Sequence, residues 1–235
     1  MPPAPIRCLP LLLLVLAPGL SAAAQPPIDE RVVALDHPDY RERLRANELL
    51  LSDPTITADQ IAAWSRAELT DEQRHRLLIV ARHHTLGELR REEFPAPGPG
   101  AIGIRHGLGG QNGSQSIRVI QVMPGFPGFG RLRHDDAVLS VDGEKFEGGA
   151  GLHERFLARM IGCRAGQEIR MAVRRGDKQL QITIPLANAD ALHEMYPDQR
   201  VNKGSSLAPR FEDRWQEVQR TVYQDLLPQP DTFKP

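Results

Sequence analysis

Three histidines are candidates for a metal site in this sequence. His75, His83 and His84 fall in one short segment. Neighbouring side chains on a helix point about 100° apart, so His83 and His84 do not easily face one ion. No carboxylate or cysteine accompanies them at the spacing of a zinc site. His153 and Glu154 suit the start of a helix, where an acidic side chain complements the helix dipole. The sequence therefore predicts no metal site and no cofactor.

The motifs of hydrolytic enzymes are missing from the sequence. It contains neither the Gly-x-Ser-x-Gly nucleophile elbow nor a Gly-Asn-Ser-Gly-Gly serine segment. The zinc-protease motif His-Glu-x-x-His is absent as well. We interpret Cys163 as a small buried hydrophobic residue at the end of a helix. We therefore predict no catalytic residues and a protein that is not an enzyme.

The composition is that of a globular protein without a strong charge. Charged residues make up 25% and hydrophobic residues 40% of the 235 residues, which excludes a wholly disordered or polytopic membrane chain. The net charge of −1 gives no general attraction to nucleic acid. Aromatic residues make up only 5%, which argues against a stacking surface for single strands. Nucleic acid is therefore not among the predicted partners.

Residues 1–24 have the pattern of a secretory signal peptide. Arg7 precedes an apolar stretch at residues 9–20, and residues 22–24 are alanines suited to cleavage. The stretch is shorter than the ~20 residues with which a helix crosses a bilayer. We expect a periplasmic or secreted protein with no stable membrane span after cleavage, and an uncleaved anchor is the alternative. One cysteine remains after cleavage, so no internal disulfide is expected.

Residues 37–90 are predicted to form a small helical unit. Pro38 suits the first turn of a helix that ends at Pro54. Thr57 is a candidate N-cap of the next helix, and Thr70 opens the capping-box motif Thr-Asp-Glu-Gln of a third. The unit loosely resembles one or two HEAT-type helix pairs, although a single copy has no period to test. The alternative is a helical cap that packs on the next domain.

A linker and a β-rich segment follow the helical unit. Residues 91–99 include a run of Pro and Gly that is typical of linkers. Beyond them the apolar pattern favours short strands, interrupted by one helix at residues 152–161. The strand candidates are residues 117–122, 137–141, 168–173 and 180–184. The polar, Gly-rich residues 106–116 are predicted to form a hairpin loop. These elements together predict an α+β fold.

The order of motifs in this segment resembles that of bacterial PDZ domains. The run VIQVMPGFP at residues 119–127 is similar to V-x-x-V-x-P-G-S-P-A, and residues 131–143 are similar to G-L-x-x-G-D-x-I-x-x-V-N-G. Residues 164–178 are similar to the closing segment x-x-G-x-x-V-x-L-x-V-x-R-x-G. The run GAIGI at residues 100–104 stands where the family has its carboxylate-binding loop. The resemblance covers residues 100–187 and implies a partly open β-barrel or sandwich with one main helix.

One loop departs from the PDZ pattern. Phe126, Gly128 and Phe129 stand where the family has small Ser or Ala residues, and Asp135 replaces the usual Gly before Asp136. We expect the loop to be more apolar and more exposed than in other PDZ domains.

The resemblance implies a groove that binds a peptide. In this family an extended peptide pairs with a free strand edge, and backbone N–H groups of a glycine-containing loop hold its terminal carboxylate. The facing helix divides its apolar side chains between the core and a pocket for an apolar C-terminal residue. The predicted site residues are Ala101, Ile102 and Gly103 in the loop, Ile104 at the edge, and Phe156, Leu157 and Met160 on the helix. In the alternative, all three helix residues are core and the chain's own segments close the groove.

The C-terminal part contains a predicted amphipathic helix. Residues 188–207 are polar and turn-rich and are predicted to be a flexible linker. A helix at residues 208–227 and a tail at residues 228–235 follow. An apolar stripe runs along that helix through Phe211, Trp215, Val218 and Val222. The stripe packs on the chain's own helical unit or, alternatively, docks into a partner's groove or a second copy.

These features together predict an exported adaptor without enzymatic activity. Its partners would be the C-termini or extended segments of other proteins, with an exported protease or an envelope protein as candidates. The alternative is a structural or assembly protein, in which the PDZ-like unit only packs and the C-terminal helix makes the specific contact.

Overall fold

The computed structural model describes residues 28–110, 115–146, 148–197 and 208–227. The predicted signal peptide at residues 1–24 and the predicted tail at residues 228–235 lie outside the described residues. In the described ranges, no helix is both long enough and apolar enough to cross a bilayer.

Four helices build the N-terminal unit. Helix α1 spans Glu30–Val33 and continues into a 3₁₀ turn at Ala34–Asp36, and α2 spans Tyr40–Ser52. Helices α3 and α4 span Ala58–Ser65 and Asp71–Glu93. α4 thus includes the first residues of the predicted 91–99 linker. Its last turn carries Arg90 and Arg91, which complement the negative end of the helix dipole.

Side-chain caps fix where these helices begin. The predicted caps are confirmed: the Thr57 and Thr70 hydroxyls accept backbone N–H bonds from Gln60 and Gln73, whose side chains accept the threonine N–H groups in return. These bonds satisfy donors that the first turn of a helix leaves unpaired. α2 is capped by the side chain of Asp39. The sequence had suggested that Pro38 lies in the first turn of this helix, but Pro38 precedes the cap.

The second half of the chain forms two antiparallel sheets. The strands are β1 Gly100–Ala101, β2 Ile104–Gly109, β3 Ser116–Val122, β4 Ala137–Val141, β5 Glu144–Lys145, β6 Glu168–Arg175, β7 Lys178–Pro185 and β8 Ala187–Asn188. The larger sheet has the order β2-β3-β4-β6-β7, with β5 paired to β4, while β1 and β8 pair with each other. Helix α5, Leu152–Ile161, lies between β5 and β6 in the chain. The α+β class is confirmed.

The predicted strands and helix of this domain are also confirmed. β4 and α5 have the predicted bounds, and β3, β6 and β7 are slightly longer than predicted. Asp142 and Gly143 both have positive φ, 47° and 86°, and link β4 to β5. Two successive positive φ values give a turn whose twist matches that of the flanking strands. The domain core includes Ile117, Val138, Phe146, Phe156, Ile169 and Met171.

A second hydrophobic core joins the helical unit to later parts of the chain. Two further helices contribute: α6, Ala189–Met195, and α7, Ala208–Thr221, which is followed by a 3₁₀ turn at Gln224–Leu226. This core contains Leu50, Leu77, Val80, Met123, Phe126, Ala191, Met195, Phe211, Trp215 and Tyr223. β8 and α6 occupy the start of the predicted flexible linker at residues 188–207, which is a correction. Ala191 is fully buried, so packing holds this segment in place.

Residues 124–131, which we call the docking loop, attach the sheet domain to the helical unit. A Cβ placed on Gly125 would lie 2.8 Å from the Leu86 Cβ of α4, and one on Gly130 would lie 2.5 Å from the Leu51 Cβ of α2. Only glycine allows this approach, and both residues also have positive φ. Phe126 is fully buried. The expectation of an exposed apolar loop was therefore wrong, because the helical unit covers it.

Candidate functional site

A groove of about 790 Å³ runs between β2 and α5. All seven residues predicted for the site line it, namely Ala101, Ile102, Gly103, Ile104, Phe156, Leu157 and Met160. The structure therefore brings the predicted loop, strand edge and helix face together in one concave site.

The strand edge comes from β2. This strand pairs with β3 on one side and ends the five-strand order of the larger sheet on the other. Residues 106–109, predicted as part of a loop, belong to β2 instead. Gly107 and Gly109 leave room for side chains of β3, since a Cβ at these positions would lie 2.9 Å from an Ile120 and 2.7 Å from an Arg118 side-chain atom. An edge of unpaired backbone groups is what an extended peptide needs for β-augmentation.

The loop at residues 101–103 is held so that the backbone N–H groups of Ile102 and Gly103 stay available. The carbonyl of Ile102 accepts the N–H of Gly128 at 2.9 Å, and that of Gly103 accepts the N–H of Met123 at 2.8 Å. Within the described ranges, the N–H groups of Ile102 and Gly103 donate no hydrogen bond. Gly103 has a φ of +84°, which only glycine adopts readily. Successive unpaired N–H groups in such a loop form a concave site for an anion.

Pairing of β1 with β8 fixes the start of this loop. Gly100 lies opposite Asn188 and Ala101 lies opposite Ala187. The Asn188 side chain also accepts the N–H of Asp190 and thereby caps α6. The loop therefore rests on a segment that is far away in the sequence.

The groove face of α5 is apolar and partly exposed. Leu157 is 37% exposed and Ile161 is 76% exposed, while Met160 is partly buried. Phe156 is only 1% exposed, and its ring lies 5.5 Å from that of Phe146, so it belongs mainly to the core. Ile161 was missed by the sequence analysis, although it lies one turn after Leu157. These side chains offer an apolar surface beside the free strand edge.

His106 contributes a neutral side chain to the groove. Burial and the nearby His153 lower the pKa of His106 to about 4. Its ring lies 4.8 Å from the Phe156 ring and 5.2 Å from the His153 ring. The Nε2 atom is buried and has no hydrogen-bond partner among the described residues. At neutral pH the His106 ring is therefore uncharged.

Two cationic side chains lie along the groove. Arg105 and Arg164 line it, and both are exposed. Neither guanidinium forms an ion pair within the described residues. Both can therefore add positive potential near the N–H groups of Ile102 and Gly103, which favours a carboxylate there.

Helix α6 forms the wall of the groove beside β1. Ala189, Asp190, Leu192 and His193 line the groove together with Tyr196, which follows the helix. The Tyr196 hydroxyl donates to the Pro124 carbonyl at 2.8 Å, and burial raises the pKa of Tyr196 to about 12. This wall was not predicted from the sequence, because residues 188–207 were expected to form a flexible linker.

The apolar stripe of the C-terminal helix faces the chain's own core. Phe211 and Trp215 are 6% and 4% exposed, and Val218 packs against the same core. Phe211 stacks with Phe94 of the helical unit at 6.5 Å. Only Val222, 39% exposed, is left partly open. Phe211, Trp215 and Val218 thus favour the interpretation in which the helix packs on its own helical unit over docking on a partner.

The described residues do not gather metal-ligand side chains. In the ranges that the structure covers, no group of three or more His, Cys, Asp or Glu side chains could hold a metal ion. His83 and His84 are both buried, and each uses a ring nitrogen in a bond to the backbone, at Gly125 and Leu50 respectively.

Residues 100–186 match the family model of the PDZ domain. This part of the chain is a PDZ domain, as the sequence motifs had indicated, and PDZ domains bind peptides by β-augmentation. The groove between β2 and α5 lies within the matched segment, except for the wall formed by α6.

One solved structure that the chain resembles is the HtrA-type protease AlgW with a decapeptide. The identity is 18% and the TM-score 0.32, over 43% of this chain and 32% of that one. The similar part thus spans about a third of that protein. No curated protein matches the chain.

Proposed function

We propose that this protein is an exported, non-enzymatic adaptor that captures the C-terminal end of another protein. The observation that carries the proposal is the groove: a free strand edge, an apolar helix face and unpaired N–H groups at Ile102 and Gly103 meet in one site. The peptide would add a strand beside β2, and its last side chain would contact Leu157 and Met160. The pattern of residues 1–24 supports export.

The proposed ligands are exposed, apolar C-termini of envelope or secreted proteins, with an exported protease as one candidate partner. An apolar last residue fits the exposed face of α5. The terminal carboxylate fits the loop, where N–H donors and the cationic Arg164 offer positive potential. The burial of Phe211 and Trp215 in the chain's own core supports this proposal over the alternative role in assembly through the C-terminal helix.

Peptide binding is tested by fluorescence anisotropy on the chain from residue 25 onward, which contains every described residue. Each labelled peptide ends in Val, Leu, Ile or Phe and is made both with a free and with an amidated C-terminus. We expect micromolar binding, about −8 kcal/mol, that weakens at least tenfold on amidation. Equal binding of the two forms would show recognition of an internal strand, and no binding would remove the groove proposal.

Export and the lack of catalysis need their own measurements. Expression of the full chain in a bacterium, followed by mass analysis of the periplasmic fraction, is expected to give a protein that begins at residue 25. A bound peptide is expected to keep its mass after prolonged incubation with the protein. Retention of residues 1–24, or a cleaved peptide, would contradict the corresponding part of the proposal.

A further inference from the structure

A second cavity, of about 450 Å³, lies between the helical unit and the PDZ domain. Its walls come from the end of α2, the last turns of α4, the docking loop and the segment from β7 to β8. Among the described residues, none lines both this cavity and the peptide groove. Arg90, Arg91 and Arg131 line the cavity.

Arg90 is a buried cation without an acidic partner. The residue is only 8% exposed. Its Nε donates to the Gly125 carbonyl at 2.8 Å, and its guanidinium lies 5.4 Å from the centre of the Phe126 ring. No carboxylate among the described residues pairs with it. Burial, with a smaller effect of Arg91, lowers the pKa of Arg90 to about 10, so it stays charged at neutral pH. A buried charge normally requires a partner of opposite sign.

Arg91 and Arg131 bring two more guanidinium groups to the same place. A Cβ built on Gly87 would lie 3.5 Å from the Arg91 Nη1 and 3.7 Å from the Gly125 carbonyl oxygen. Arg90 donates to that same oxygen, so the Arg90 and Arg91 side chains approach one place. Arg91 forms no hydrogen bond or ion pair within the described ranges. Arg131 donates to the carbonyl of Ser52 at 2.7 Å, at the end of α2. Burial lowers the pKa of Arg131, against a smaller opposing effect of Glu168, which does not line the cavity.

Little negative charge balances these three cations. Asp53 is the acidic residue that lines the cavity among the described residues. Its carboxylate already accepts hydrogen bonds from Arg31 at 2.7 Å and from Thr55 at 2.6 Å. Burial alone would raise the pKa of Asp53, but these bonds outweigh it and lower the pKa to about 2. Arg31 also pairs with Asp29 at 2.7 Å, so this group of two carboxylates and one guanidinium keeps one negative charge. The three cations that line the cavity still exceed that charge.

We infer that this cavity binds a phosphate group, either as free phosphate or as the phosphate of a small organic molecule. Guanidinium groups donate paired hydrogen bonds that fit phosphate oxygens, and three cations suit a dianion better than a single carboxylate. The volume falls in the range of about 300–1,000 Å³ typical of small-molecule sites. Phe94, Phe126 and Leu186 add an apolar wall that would take the organic part.

The test titrates the protein with sodium phosphate and with phenyl phosphate, at an ionic strength held constant with sodium chloride. The midpoint of thermal unfolding and the heat of binding are followed together. Phosphate also stabilises proteins generally, because it is excluded from their surfaces. At a specific site, the gain in folding stability depends on the ratio of the ligand concentration to Kd. The heat of binding also reaches a plateau once the site is full.

Arg91→Gln is the informative variant, since Arg90 and Arg131 also hold the docking loop in place. Arg91 is exposed and lacks a bonded partner among the described residues, so the variant keeps the parent midpoint without ligand. We expect its phosphate binding to weaken at least tenfold. Arg45→Gln on α2, also an exposed helix arginine without a bonded partner in the described ranges, is the matched control and keeps the parent affinity.

The outcomes separate the two sources of phosphate and the rival explanations. Tighter binding of phenyl phosphate than of inorganic phosphate indicates a phosphate ester, and equal or weaker binding indicates free phosphate. A rise in midpoint without saturable heat, shared equally by the parent, Arg91→Gln and Arg45→Gln, would overturn the inference. Saturable binding of benzoate with none of either phosphate would overturn it as well and assign the cavity to a carboxylate.

Discussion

Gly103 lies directly against Phe126: a Cβ placed on Gly103 would come within 2.0 Å of the Phe126 Cβ. Gly103 belongs to the loop that ends the groove, whereas Phe126 is fully buried in the core of the helical unit. The ring of Phe126 also lies 6.1 Å from that of Tyr196 beside the groove. The groove loop and the helical unit are therefore packed together through one side chain.

Substitution of Gly103 should therefore cost stability as well as binding. Gly103→Ala adds both a strained positive φ and a clash with Phe126, and we expect a loss of about 2–4 kcal/mol. Gly143→Ala is the matched control, because Gly143 has nearly the same φ but nothing within 4 Å of the added Cβ. It should lose only about 1–2 kcal/mol. Urea unfolding of both variants measures the difference, and equal losses would contradict the close contact.

Leu157 should affect peptide affinity without affecting the fold. Leu157→Asn removes an apolar side chain that is 37% exposed in the groove. We expect five- to tenfold weaker binding of an apolar-ended peptide, since about 1 kcal/mol of apolar contact is lost. Leu49→Asn, at an exposed leucine of α2, is the control and should bind like the parent. Anisotropy titrations decide, and equal affinities of the two variants would place the peptide elsewhere.

Trp215 should stabilise the fold of the isolated protein. It is 4% exposed and packs near Tyr223, with the ring centres 6.1 Å apart. Trp215→Ala should cost about 3–5 kcal/mol, because it leaves a large cavity in the core. Val222→Ala, at a position on the same segment that is 39% exposed, should cost under about 1 kcal/mol. Denaturation midpoints measure both, and an unaffected Trp215 variant would restore a partner-docking role for this helix.

The ion pair between Asp136 and Arg175 should matter more than ion pairs at the surface. Arg175 donates to both Asp136 carboxylate oxygens at 2.8 and 2.7 Å, and the Asp136 side chain is fully buried. Asp136→Ala should cost about 3–5 kcal/mol, since it removes the anion that Arg175 binds. Glu212, which pairs with Arg82, is 46% exposed, and Glu212→Ala should cost at most about 1 kcal/mol. Comparable losses in urea unfolding would be evidence against this ranking.

Stability should fall as the pH falls below about 6.5. Burial, with nearby positive charges, lowers the pKa of His83 to about 3 from its ordinary value of 6.5. Between these values the unfolded chain binds a proton at His83 that the folded protein does not, so lower pH favours unfolding. One such proton contributes about 1.4 kcal/mol per pH unit. Unfolding free energies of His83→Gln and the parent, taken from pH 7 to pH 4, should differ in slope by about that amount, and parallel curves would refute it.

The sequence predicted best those elements whose signal is local. The short apolar run of β4 and the apolar face of α5 predicted both elements with their bounds. The side chains of Thr57 and Thr70 marked the starts of two helices, because threonine is a favourable N-cap. The seven groove residues were predicted from their positions relative to the PDZ motifs. Their residue types alone do not indicate a groove.

The parts that the sequence did not predict depend on contacts between distant segments. β1 pairs with β8, whose residues follow almost ninety positions later, and two-residue strands have no pattern of their own. Phe126 looked exposed because nothing near it in the sequence indicates that α4 covers it. No local pattern around Arg90 indicates burial, and its buried contact is with Gly125 of the docking loop, 35 positions later in the sequence.

The position of α6 has a consequence for which molecules the groove would select. Because residues of α6 line the groove beside the loop that would hold a carboxylate, we expect a polypeptide that continues past that point to meet this helix. An uninterrupted chain would be excluded even if its sequence fitted the groove well, whereas the same segment would fit once a protease had cut after its apolar residue. Binding would then depend on proteolysis in the surroundings, because each cleavage would create a C-terminus that fits the groove from a chain that did not fit before.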